Sequence, residues 1–71
     1  MVNDDAISDR IRIAFVSDKV VGVQPFEVKV KDGVVTISGQ AEQNSQRARA
    51  EKLAKKVKGV KQVVNNITIK K

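Results

Sequence analysis

The chain has 71 residues, 41% of them hydrophobic and 31% charged, with a formal net charge of +6 and no cysteine, histidine, tryptophan or tyrosine. Disulfides, thiolate metal sites, imidazole acid–base catalysis and cysteine nucleophiles are therefore excluded. The length sets one domain, residues 1–71, with a thin core, since so short a chain buries only about 60% of its unfolded surface. No stretch approaches the roughly 18–20 continuous apolar residues of a membrane span. Met1–Asp5 lack the basic-then-apolar pattern of a signal peptide, as expected of a cytosolic protein or an excised domain.

Asp4 or Asp5 is the expected cap of a first helix that runs to about Asp18, its early acidic residues complementing the helix dipole. Ile7, Ile11, Ala14 and Phe15 recur at helical spacing and form its buried stripe. Ile13 and Val16 fall off that stripe, either against the second helix or as exposed apolar points. Residues 19–25 form a connection, because Gly22 and Pro25 interrupt a helix. Val20, Val21 and Val23 are expected to fold back on the core.

Two alternating segments follow, Phe26–Lys31 and Val34–Ser38. Asp32-Gly33 between them suits a tight hairpin, because the glycine takes positive φ without a Cβ clash. Val28, Val30, Val35 and Ile37 then face the core, while Lys29, Lys31, Thr36 and Ser38 face away. Gly39 is expected to end the second strand. A second helix starts at a cap of Asn44 or Ser45 and reaches about Lys58, with Ala50, Leu53, Ala54 and Val57 as its apolar stripe. Gly59 is the expected left-handed residue that ends it. The third strand, about Lys61–Lys70, turns Val63, Ile67 and Ile69 inward. Asn65 shares their parity and must find partners, for which loop or strand-end backbone is expected.

This order predicts an α+β fold: an α-β-β-α-β sandwich with a three-stranded mixed sheet and two helices packed on one face. The crossover from the second strand to the third makes that pair parallel.

Charge is unevenly placed. Residues 1–45 hold five basic against seven acidic side chains, and residues 46–71 hold nine against one. Such asymmetry points to an anionic partner. On the second helix Arg49, Lys52 and Lys56 cluster opposite the apolar stripe, flanked by Lys55, and that face can bind phosphate groups; an ordinary solvated helix face is the plainer reading. Each such residue near an anionic bilayer contributes about 1 kcal/mol. The outer sheet face sets Lys29, Lys31 and Lys70 among Thr36, Ser38, Val64, Asn66 and Thr68. It has no stacking aromatics, which lowers a nucleic-acid reading and leaves sequence-independent binding to the nucleic-acid backbone as a third, lesser alternative. Asp5 and Asp9 are read as dipole-complementing residues, not a metal site. Asp32, Gly33, Gly39 and Gly59 are read as structural turns, not a phosphate loop. Ser8, Ser17, Ser38 and Ser45 have no base to activate them. No cofactor, metal or enzymatic activity is expected.

The combined pattern resembles the BON domain, named for bacterial osmotic-shock and nodulation proteins. That family shows an early Ile…Ala-Leu helix, V-x-V-x-D-G-x-V-x-L-x-G, an Ala-striped helix, and G-V-x-x-V-x-N. Here those segments read Ile11…Ala14-Phe15, Val28 to Gly39, Ala50…Leu53-Ala54, and Gly59-Val60-Lys61-Gln62-Val63-Val64-Asn65. Phe15 departs from the usual aliphatic residue. The resemblance covers about Asp5 to Ile69 and implies the same sandwich, no enzymatic activity, and a place in the periplasm or cell envelope, a cytoplasmic one staying open because no signal peptide is seen. It implies attachment to anionic phospholipid headgroups or another envelope component, or support of the envelope under osmotic stress. The lipid-binding expectation falls on Arg49, Lys52, Lys55 and Lys56. A protein-docking module, through a sheet edge or Ile13 and Val16, is the alternative; as an isolated domain the chain is expected to be monomeric.

Overall fold

The computed structural model describes residues 3–22 and 26–70. The elements are α1 (Asp4–Ser17), β1 (Glu27–Lys31), β2 (Val34–Ala41), α2 (Asn44–Lys55) and β3 (Gln62–Ile69), in the predicted order. The sheet order is β1-β2-β3. β1 runs antiparallel to β2, with Val30 opposite Val35 and Val28 opposite Ile37. β3 runs parallel to β2, with Val35 opposite Val63 and Ile37 opposite Asn65. The fold is thus the expected mixed sheet with the helices on one face.

The core follows from the two periodicities. Ile7, Ile11 and Phe15 of α1, Val28 of β1, Val35, Ile37 and Ala41 of β2, Ala50 and Ala54 of α2 and Ile67 of β3 are buried, with Val21 from the connection. Ala50 and Ala54 carry only a methyl group, so α2 lies close to the sheet. Phe15 meets Phe26 edge-on at 6.3 Å between ring centroids, an arrangement that suits the aromatic quadrupole. Ala14 is only half-buried. Val21 returns to the core, but Val20 is 40% exposed; Val23 and Pro25 lie outside the described residues. Ile69 has inward parity yet remains 36% exposed, as the last residue of the edge strand β3.

Four boundary expectations are corrected. Asn3, not Asp4 or Asp5, caps α1: its Oδ1 accepts the Ala6 N–H at 2.8 Å. Asp4 turns instead to the hairpin, where its carboxylate accepts the N–H groups of Asp32 at 2.8 Å and Gly33 at 3.1 Å. Gly39 does not end β2. Pairing with β1 stops at Ser38, but β3 continues opposite Gly39, Gln40 and Ala41, so the strand runs through the glycine at φ +135°. α2 stops at Lys55 with Lys56 as its C-cap, three residues before Lys58, and its N-cap is Gln43 rather than Asn44 or Ser45. Gly59, at φ +98°, belongs to the turn leading into β3 and not to the helix terminus.

The hairpin turn is as expected. Asp32 (φ +52°) and Gly33 (φ +81°) are both left-handed, the type I′ geometry whose twist matches paired strands. Gly33 is also fixed from the other side, since its carbonyl accepts the Lys61 N–H at 2.8 Å.

Candidate functional site

The α2 helix is built to present its basic side chains outward. The Gln46 side-chain oxygen accepts the N–H groups of Glu42 and Gln43 at 2.9 and 3.2 Å, which satisfies donors at the helix start. Lys52 and Lys55 occupy the last turn, where cations complement the negative end of the helix dipole. Ala50 and Ala54 fix the inward side, so Arg49, Lys52 and Lys55 are exposed, with Lys56 following immediately at the cap.

These four cations differ in what holds them. The Arg49 guanidinium pairs with Asp18, the C-cap residue of α1: Nη2 and Nε each lie 2.9 Å from Oδ2. Lys55 meets Glu51 one turn back at 3.2 Å, both side chains well exposed. An exposed pair of that kind is worth only about 0.3–0.5 kcal/mol. Lys52 and Lys56 have no ion pair among the described residues.

Asp18 is a more constrained group. Its side chain is 8% exposed. Oδ1 accepts the N–H groups of Val20 at 2.8 Å and Val21 at 3.3 Å, while Oδ2 faces Arg49. Burial raises its pKa, but the Val20 N–H, the Arg49 guanidinium and the Val21 N–H overcome that and hold the carboxyl below the ordinary value. This contact joins residues 31 positions apart. Nothing in the spacing of either residue marks it, and the sequence places Asp18 only as the end of a helix.

A second cross-link supports the other side of α2. Asn65 Nδ2 donates to the Arg47 carbonyl at 3.0 Å, and Asn65 Oδ1 accepts the Ile67 N–H at 3.1 Å. Both partners are backbone groups, as expected, but they belong to α2 and to β3 itself rather than to a loop or strand end.

Elsewhere the surface is plainer. On the outer sheet face Lys29, Thr36 and Val64 stand in one cross-strand row and Glu27, Ser38 and Asn66 in the next, with Lys29 paired to Glu27 at 3.3 Å. Both phenylalanines lie on the core side. Ile13 and Val16 project outward from α1, 65% and 79% exposed. Among the described residues no group of three or more potential ligands is placed to hold a metal ion, and no helix is long and apolar enough to cross a membrane.

The model of the BON domain family matches residues 3–71. The chain is also similar to the osmotically-inducible protein Y of Escherichia coli (strain K12), 37% identical over 67 residues. The match takes in 94% of this chain and 33% of that relative, so the chain spans about a third of the relative's length.

Proposed function

The chain belongs to the BON domain family, and from that premise we propose that it is a non-catalytic module that attaches to anionic phospholipid headgroups in the bacterial cell envelope. The observation that carries the reading is the one-sided charge, nine basic residues against one acidic residue from position 46 onward. Lys52 and Lys56 carry it most directly, with Arg49 and Lys55 beside them. The osmotic induction in the relative's name favours a role under osmotic stress, and the envelope or periplasm is the matching location.

Two to four lysines or arginines at about 1 kcal/mol each give only weak, salt-sensitive attachment. Co-sedimentation with vesicles of phosphatidylglycerol and phosphatidylcholine, against phosphatidylcholine alone, tests the reading. Binding to the anionic vesicles that falls as salt rises is the expected result. Equal binding to both kinds, or binding to neither, overturns it.

The exposure of Ile13 and Val16 on α1 and of Val20 just beyond it favours a second reading, a protein-docking face at that end of the helix. Association by that face would tolerate salt, and self-association would raise the apparent mass with concentration.

A further inference from the structure

We infer that Asp18 acts as a built-in counter-ion that masks Arg49 and so sets how strongly the basic face of α2 attracts an anionic surface. The inference rests on the lipid reading above and names a residue that regulates the same face.

The two acidic neighbours of this face are not equivalent. Glu51 is an exposed side chain on the same helix as its partner, 38% accessible beside a Lys55 that is 61% accessible. It can release Lys55 at small cost when a phosphate approaches. Asp18 cannot swing away. Its side chain is 8% exposed, and the Val20 and Val21 N–H groups hold Oδ1 while Oδ2 faces the guanidinium. Arg49 is 42% exposed, close enough to the surface to feel an approaching anion. Its charge is nevertheless cancelled in place, and the face works mainly through Lys52, Lys56 and a releasable Lys55.

Asp18→Asn separates charge from structure. The asparagine oxygen can still accept from Val20 and Val21, while its amide offers Arg49 a donor in place of a carboxylate. Arg49 is thereby unmasked. At about 1 kcal/mol per added charge, affinity for phosphatidylglycerol vesicles at low salt should rise about five-fold. Arg49→Gln leaves Asp18 as an uncompensated negative charge and should weaken binding by a similar factor. The double variant removes a neutral pair and should return to within about two-fold of wild type, since the two changes cancel.

Asp5→Asn is the control. It makes the same change in net charge in the first turn of α1, on the side beside Lys29 and Lys31 of β1, whereas Asp18 caps the far end of that 14-residue helix. The two sites are thus about 20 Å apart along the helix, well beyond the screening length of about 10 Å at 0.1 M salt. Thermal melts of all four variants check that each is folded. Tighter binding by Asp18→Asn alone, with cancellation in the double variant, supports the inference. An Asp18→Asn protein that binds no tighter than a binding wild type overturns the inference and leaves the lipid reading standing. Equal tightening by Asp5→Asn overturns it in favour of net charge. A double variant as weak as Arg49→Gln overturns it in favour of direct contact by Arg49. If wild type does not bind anionic vesicles at low salt, the lipid reading and the inference fall together.

Discussion

The Asp4 carboxylate holds the Gly33 N–H at 3.1 Å while also accepting from Asp32 at 2.8 Å, so the first residue of α1 fastens the turn of a hairpin nearly thirty positions later. The Gly33 carbonyl in turn receives Lys61 at the mouth of β3. One turn therefore joins the start of the first helix to the start of the last strand.

Removing the carboxylate should expose how much that clasp holds. Hydrogen bonds to a charged acceptor contribute about 1.5–3 kcal/mol, and this site is partly solvated. Asp4→Ala is expected to lower stability by about 1–2 kcal/mol in urea unfolding, with Asn3→Ala, which removes the cap, costing about 1 kcal/mol. An Asp4→Ala protein within 0.3 kcal/mol of wild type, on the order of ordinary surface substitutions, would show that water replaces the clasp without loss.

The two turn residues should respond differently. Gly33 lies at φ +81°, and a Cβ there would meet Lys61 Cγ at 2.9 Å and the Gly59 carbonyl at 3.2 Å. Gly33→Ala should cost about 1–3 kcal/mol from backbone conformation and crowding together. Asp32→Asn should be nearly neutral, because asparagine tolerates the left-handed region and Asp32 is exposed. Equal effects in thermal melts would contradict this division.

On α1 the inside and outside of the helix should separate cleanly. Ile11 is fully buried and Val16 is 79% exposed. Ile11→Ala should cost about 2–5 kcal/mol, a large share of the stability of so small a domain. Val16→Ala should fall within about 0.5 kcal/mol of wild type. A comparable loss from both in chemical denaturation would mean that Val16 is covered in solution.

Asp18 makes a pH prediction. Burial raises its pKa, but the Val20 N–H, Arg49 and the Val21 N–H together bring it below the ordinary carboxylate value in the folded chain. A depressed folded pKa contributes stability above the unfolded pKa and loses it as pH falls through the folded one. Wild type should therefore lose this contribution progressively below about pH 4, the unfolded aspartate value. Asp18→Asn should have a flatter acid limb in stability measured against pH. Superimposable profiles would contradict the assignment, as would an Asp18 carboxyl that titrates at the ordinary value by NMR.

What could be read from the residues was whatever depends on neighbours in the chain. Alternation in Val28 to Ile37 and helical spacing from Ile7 to Phe15 and from Ala50 to Ala54 define the strands and helices, because the side-chain period follows from local geometry. The type I′ hairpin at Asp32-Gly33 is local in the same sense, as is the inward parity of Asn65. These patterns together also carried the likeness to the BON domain.

Contacts distant in sequence were settled by the tertiary structure alone. Gly39 marks the end of β2 if only the hairpin is considered; the parallel partner β3 carries the strand on to Ala41. Asp4 has the composition of a cap and becomes a clasp, because the hairpin turn presents two N–H groups to it. The basic face of α2 divides into a masked arginine, an exposed lysine–glutamate pair and two lysines without an ion pair among the described residues only when α1 brings Asp18 beside Arg49. The sequence by itself determined which elements form and which face of each helix and strand turns to the core. Packing decided which charges meet, because an ion pair depends on distance in space and carries no periodic trace along the chain.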